Sequence, residues 1–365
     1  MPIMENTLNI GNKKKIEWID MARVITMLLV IIGHSNYTYI PTDFGSLNYP
    51  EPEETCISYL FLKKMVYFIY SFHMPVFMAI SGLCFSLGFH KTKALRDLII
   101  NKGKRLLIPF LVVTTFVAIP IKFIGGYYST SENIFHDIIM GQYLLMGNSH
   151  LWFLVSLFYC FIIFYLIEPI HKKFPLLFWC GLTGLALSTW IIQILLGYDA
   201  FGIPGMTKNL LYFAIGFYSK DWCDRYYPNI WITISSITAS VVFFFWASTL
   251  NWYLNQFISP VFALWGCFNV LCVCKLIIRY TSATKALPYK FFRDKNFQLY
   301  LYGDPANYLI VPALFLIGGD YFDSNLFAIS AFFIRIIGAV LLTIIILNII
   351  TFVKATANVL NLNKA

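Results

Sequence analysis

Charge is what this sequence has little of. Of its 365 residues only 12% are Asp, Glu, Lys or Arg, about half the share that ordinary soluble domains carry. Acidic residues are the scarcer sign, 18 against 27 basic. Internal repeats, low-complexity tracts and a polar segment long enough to fold separately are missing as well. A water-soluble enzyme, a disordered tail and a disulfide-stapled secreted domain are thereby excluded. The eight cysteines fall mostly inside apolar runs, and Cys272 and Cys274 have the wrong separation for two ligands on one helix face. They read as packing residues, and no metal is expected. The polar stretch Met1–Lys15 leads into an apolar run of spanning length with no small-residue cleavage site, so the first span is expected to stay as an anchor.

Apolar residues fill the space that charge leaves. Hydrophobic side chains make up 59% of the chain, with 35 Phe, 23 Tyr and 9 Trp. Runs of spanning length recur near 17–38, 57–89, 106–124, 150–168, 176–196, 208–219, 229–250, 256–278, 297–318 and 325–353, where about 20 apolar residues cross a hydrocarbon core of roughly 30 Å. The fold class expected is an all-α integral membrane protein, a bundle of about ten transmembrane helices over 17–353. Short tails at 1–16 and 354–365 flank it.

The formal charge of +9 raises the question of nucleic acid, but its distribution answers otherwise. Taking the first tail and every second connection as one face gathers 20 cations there. Lys63, Lys64, Lys122 and Lys208 fall at or near the other face, beside Asp43, Glu51, Glu53, Glu54, Asp320 and Asp323. The positive-inside rule then places both termini in the cytoplasm. The partner implied is a lipid bilayer, with no nucleic acid.

Ionisable residues inside spans are costly and therefore candidate sites. The first span carries Asp20, Arg23 and His34. Eleven residues at about 100° each bring Arg23 and His34 onto one stripe, roughly 16 Å apart along the axis. The bland alternative is an ion pair at a helix end and a hydrogen-bonded histidine. In the second span His73 reaches a depth similar to that of His34, Pro75 is expected to loosen the helix, and Ser81-Gly82 permits close approach. His150 and Trp152 open the fourth span, where Trp152 is either an aromatic face for a ligand or a belt residue. Tyr300, Tyr302, Asp304 and Asn307 form a polar group in the ninth. Asp304 either pairs with Arg335 or lines a cavity.

An Arg followed by ten residues and a His, with Asp three positions before the Arg, resembles the signature of the membrane-bound acyltransferase 3 family. Other pieces stand in the same order: FHMPVFMAISG in the second span, KGKRLLIPF entering the third, and HLWFL opening the fourth. FQLYLYGDPANYL, from Phe297 to Leu309, is similar to a late motif of the branch that includes fucose 4-O-acetylase-like proteins, with Gly303 where that motif often has histidine. The extracytoplasmic hydrolase domain of some relatives has no counterpart, so a separate partner or direct transfer is expected.

The resemblance implies an enzyme that moves an acyl group, acetyl before succinyl, from cytoplasmic acyl-coenzyme A to a hydroxyl of a cell-surface glycan or lipid-linked sugar. His34 is then the general base, with Arg23, Asp20 and His73 beside it in the catalytic set. Arg23, Lys102, Lys104 and Arg105 hold the donor's phosphates, although Lys and Arg at such helix ends are also ordinary topology signals. His150, Trp152, Tyr300 and Asp304 border the acceptor. The location implied is a bacterial plasma membrane. The rivals are a secondary transporter or flippase relaying protons through the same residues, and a non-catalytic subunit of a polysaccharide export complex.

Overall fold

The computed structural model describes residues 17–362 apart from 41, 54, 90–93, 197–199 and 251. The expected tail at 1–16, the cations Lys91 and Lys93, and Lys364 lie outside the described residues. Helix dominates: about 81% of the chain is helical, and the described residues contain one small antiparallel hairpin, β1 (Tyr39–Ile40) with β2 (Leu47–Asn48). The helices run in order as α1 (Glu17–Gly33), α2 (Ile57–Tyr70), α3 (His73–Ser86), α4 (Leu95–Ile124), α5 (Ile134–Ile138), α6 (Trp152–Lys173), α7 (Pro175–Leu187) and α8 (Thr189–Leu196). There follow α9 (Ile203–Tyr218), α10 (Lys220–Arg225), α11 (Ile230–Ala247), α12 (Trp252–Tyr280), α13 (Leu287–Asp294), α14 (Asn296–Tyr302), α15 (Asn307–Gly318) and α16 (Asn325–Leu362).

Among the described residues six stretches are long and apolar enough to cross a bilayer, and the α7–α8 pair, bent by 48°, makes a seventh if taken as one span. The chain is a multi-pass membrane protein. Each of the ten apolar runs coincides with a helix or a helix pair, but α1 and α9 are short and the ninth run is broken between α14 and α15. Lipid exposure is plain on α16, whose Leu341, Ile345 and Ile349 are each more than half exposed along one face. In water that face would be penalised; in hydrocarbon it is at home.

Local sequence explains the departures from the expected boundaries. Pro75 loosens the helix one turn upstream: it has no N–H to give the Ser71 carbonyl, the helix is interrupted at Ser71–Phe72, and Pro75 sits in the first turn of α3. The third helix begins at Leu95 rather than near 106, because a polar, basic first half precedes the apolar run. Pro109 and Pro120 each follow a widened π turn, Gly103–Leu107 and Thr114–Ala118. A proline cannot donate to the carbonyl four residues back, and the wider turn absorbs that clash without ending the helix. The connection after α4 carries α5 and its own π turn, Ile139–Tyr143.

The central packing is between α3 and α9, which meet backbone to backbone. A Cβ on Gly82 would lie 1.9 Å from the Phe213 carbonyl oxygen, and one on Gly216 would lie 1.9 Å from that of Ala79. Close approach of small residues replaces the hydrophobic effect as the source of helix association in lipid. Around this seam Phe85, Phe161, Phe164 and Phe213 interlock in edge-to-face and tilted pairs, with ring centroids 5.0–6.4 Å apart. A second apolar core joins α1, α3 and α12 through Val24, Val76, Ile80 and Phe262. Gly216→Val is expected to cost about 3 kcal/mol of stability through overpacking. Gly181→Ala, where an added Cβ meets nothing within 4 Å, serves as the neutral control. Thermal unfolding in detergent checks both.

Candidate functional site

Three chain segments converge near one end of α1. The first is α1 itself, which stops at Gly33 and places His34 in the turn beyond it, its N–H donating to the Val30 carbonyl at 3.0 Å. Gly33 is small for a reason: a Cβ there would come 2.9 Å from the Tyr70 ring. With that space open, the Tyr70 ring lies edge-on to His34 at 5.9 Å and to His73 at 4.8 Å.

The second segment is the break between α14 and α15. Pro305 has no N–H to give the Leu301 carbonyl, so the helix opens into a tight turn, Asp304–Ala306. The freed Leu301 oxygen is taken by His150 Nε2 at 3.2 Å. His150 belongs to the third segment, the approach to α6, and its own carbonyl accepts from the Tyr300 hydroxyl at 2.5 Å. A buried backbone group left without a partner would be expensive, and here the side chains that satisfy it also build the site.

Asp304 stands at the junction with its side chain only 7% exposed. Its Oδ1 lies 3.0 Å from His34 Nδ1 and accepts from the Tyr37 hydroxyl at 2.8 Å, while its Oδ2 lies 3.4 Å from His150 Nδ1. The carboxylate therefore sits between two imidazoles. With Nδ1 of His34 turned to the carboxylate, Nε2 is left to accept a proton from elsewhere, the arrangement in which an acid orients a histidine base.

Arg335, from α16, does not bond to Asp304. Buried to 2% exposure, it donates to the Asn307 side-chain oxygen at 2.7 Å, the Tyr37 carbonyl at 2.6 Å and the His34 carbonyl at 2.8 Å. It braces the turn that presents His34. Lys122, read from the sequence as lying near one face of the membrane, is in fact buried. Its ammonium donates to Gln142 Oε1 at 3.0 Å and to the Asn148 carbonyl, and lies 4.5 and 4.7 Å from the centres of the Tyr127 and Tyr308 rings. Asn148 also donates to the Tyr308 hydroxyl at 2.7 Å. The segment carrying His150 is pinned from both sides.

At the other end of the same stripe on α1 lies a cavity of about 1000 Å³. Arg23, Lys102 and Arg105 line it, with Asp97, Asn101 and Asn296 as the other charged or amide groups. Lys102 Nζ rests 3.4 Å over the Phe161 ring. Arg23 pairs with Asp20 at 3.7 Å and keeps 44% of its side chain exposed, so guanidinium N–H groups remain for a ligand. Asn296 holds the Arg23 carbonyl at 2.9 Å and ties α14 to α1.

The sequence-derived candidates divide accordingly. His34, His150, Tyr300 and Asp304 meet in one crevice, and Arg23, Lys102 and Arg105 face one cavity. Lys104 is exposed and does not line that cavity. Trp152 packs against Gly205, where a Cβ would come 2.5 Å from its ring, and lines neither space. His73 is buried, its Nδ1 3.0 Å from the Ile69 carbonyl, and reaches His34 only through Tyr70. Sequence reasoning missed Tyr37, Tyr70 and the bracing role of Arg335. The polar, aromatic run HSNYTY after the first apolar segment was the available signal for Tyr37.

A family model described as an acyltransferase domain matches residues 16–348. The chain belongs to the acyltransferase 3 family. It is thus a membrane acyltransferase, and the match covers every residue of the crevice and the cavity. Comparison with curated proteins and with solved structures gives no match. For this acyltransferase Arg335→Ala is expected to cost about 3–5 kcal/mol of stability, since it strips buried oxygens of His34, Tyr37 and Asn307 of their donor. Arg335→Lys should recover only part, because an ammonium lacks the planar fork. Thermal unfolding of the purified variants measures both.

Proposed function

We propose that this acyltransferase takes an acyl group from acyl-coenzyme A bound in the large cavity and passes it to a hydroxyl of a cell-surface glycan or lipid-linked sugar at His34. The observation that carries this reading is the His34–Asp304 contact at 3.0 Å, set at one end of a helical stripe whose other end, Arg23, faces the cavity. Coenzyme A offers phosphates and an extended arm ending in a thioester. Arg23, Lys102 and Arg105 supply the charge for the phosphates, and arginine can hold them by two parallel hydrogen bonds. The arm then follows α1 toward the crevice.

The chemistry balances without a further reagent. His34 Nε2 takes the proton of the acceptor hydroxyl as its oxygen attacks the thioester carbonyl. The C–S bond breaks, the sulfur leaves with the bonding pair, and the imidazolium returns the proton to it. The products are an O-acyl ester and free coenzyme A. Asp304 keeps His34 in the productive tautomer and steadies the positive ring. His150, whose Nε2 donates to the Leu301 carbonyl and whose own carbonyl accepts from Tyr300, rests its ring beside the second carboxylate oxygen and borders the acceptor.

In this reading the cavity opens to the cytoplasm, where acyl-coenzyme A is made. The ten apolar runs all span, both termini lie on that side, and the membrane is a bacterial plasma membrane. The excess of basic residues on one face supports the orientation. The late motif from Phe297 to Leu309 supports placement in the fucose 4-O-acetylase-like branch.

His34→Ala is expected to lower turnover by about 10²–10⁴-fold, and Asp304→Asn by up to about 10⁴-fold through the wrong tautomer. Arg23→Ala should instead raise KM for acyl-coenzyme A by about 10-fold or more, the worth of one charge-assisted hydrogen bond. Transfer of labelled acyl groups in membranes with matched protein levels measures all three. Unchanged turnover in His34→Ala would sink the assignment, and glycan uptake into vesicles without thioester consumption would favour a transporter.

A further inference from the structure

A separate hollow of about 170 Å³ lies behind α1. Arg23, Met27, Val30 and His34 face the cavity and the crevice, whereas Ile25 and Leu29 border the hollow. At about 100° per residue those two positions stand roughly 200° and 240° around the helix from Arg23, on its far side. Phe68 and Phe72 at the α2–α3 break, Ile237 and Ser240 on α11, and Phe262 and Asn269 on α12 close the rest.

The walls are held apart by contacts that are already made. α12 meets the break at Gly266, where a Cβ would lie 2.3 Å from that of Phe72, so the helix has no room to move inward. On the other side the Phe243 and Phe262 rings stack at 6.0 Å, and a chain of hydrogen bonds ties α11 to α12. Trp265 Nε1 donates to Ser236 Oγ at 2.8 Å, Ser236 to Asn269 Oδ1 at 2.6 Å, and Asn269 Nδ2 to Ser240 Oγ at 3.1 Å. These struts fix the helix spacing, and the hollow is the volume they leave over.

The same bonds decide what can fill it. Among the described residues Ser240 and Asn269 are the only polar side chains in the lining, and both are committed, Ser240 donating onward to the Ile237 carbonyl at 2.7 Å. Water needs two to four polar partners and finds none to spare; an apolar cavity of roughly 150 Å³ stays dry and takes up benzene or xenon instead. Ile25, Ser240 and Asn269 stand near the midpoints of α1, α11 and α12, at the depth where a bilayer offers hydrocarbon alone. That hydrocarbon is adjacent, since Ile234 and Val242 of α11 and Val261 of α12 are each at least half exposed.

We propose that the hollow is a binding site for the hydrocarbon tail of a membrane phospholipid. The headgroup stays at the membrane surface, and the tail supplies the van der Waals contacts that bare walls would lose. The lipid thereby backs α1 on the side opposite Arg23 and His34. This site is independent of the acyl-coenzyme A reading.

The full chain in phosphatidylethanolamine–phosphatidylglycerol vesicles, doped with a phospholipid carrying a photoreactive diazirine at its tail end, tests the proposal. Phe262 and Val270, at 4% and 6% exposure, are out of reach of bulk lipid, whereas Val261, at 62%, reports ordinary lipid contact. Peptide mass spectrometry after illumination is expected to find adducts on Phe262 or Val270 as well as on Val261. Ile237→Phe, with Val273→Phe as the second filling variant should the first fail to accumulate, is expected to lower the buried labelling about 10-fold, the worth of roughly two methylenes no longer buried. Labelling of Val261 should not change. Adducts confined to exposed positions in the unaltered chain, or buried labelling undiminished in a folded filling variant, overturn the proposal.

Discussion

A carboxylate in the middle of an apolar bundle governs the rest of this structure. Burying Asp304 alone would be prohibitive, so the surrounding chain is organised to meet its oxygens: the His34 imidazole at 3.0 Å, the Tyr37 hydroxyl and the Asn307 amide at 3.5 Å, with the His150 ring packed alongside. Meeting that demand brings together residues separated by more than 260 positions in sequence, Tyr37 and Asp304 among them. Arg335 completes the arrangement from outside the cluster, satisfying the carbonyls of the turn that carries His34 and Tyr37. A site of this kind is rigid because every member is already committed to a partner.

The bundle around it is assembled by contact rather than by escape from water. Gly82 and Gly216 let α3 and α9 touch along their backbones, and aromatic rings fill the remaining volume edge to face. This firm seam stands beside a cavity walled partly by its own rings, Phe85 and Phe161. Lys102 lies over both rings, which connects the packing of the core to the charge of the cavity mouth.

Much of this was legible in the sequence, and what was not has physical causes. Apolar length and the distribution of lysine and arginine identify a membrane bundle, because lipid thickness imposes a period that any reader of hydropathy can see. The shared stripe of Arg23 and His34 follows from helical geometry alone. The meeting of His150 with Asp304 does not, since it depends on how three separate segments close in space. Position along two helices cannot tell a direct Asp304–Arg335 ion pair from a cation that bonds to carbonyls one layer behind. Lys122 illustrates the same blindness: counted by topology it belongs to a face, yet tyrosine rings and amide oxygens give it a place inside. The breaks at Ser71–Phe72 and Gly303–Ala306 were only half visible: Pro75 and Gly303-Asp304-Pro305 mark weak points, but the apolar residues on either side run on as if one helix continued.

Pro305 joins two parts of the site. By leaving the Leu301 oxygen without a helical donor, it makes one backbone defect the anchor for His150 and, one residue away, the mount for Asp304. His150 and Asp304 are consequently yoked to a common piece of main chain, so a shift of that one turn would carry the carboxylate and its second imidazole together.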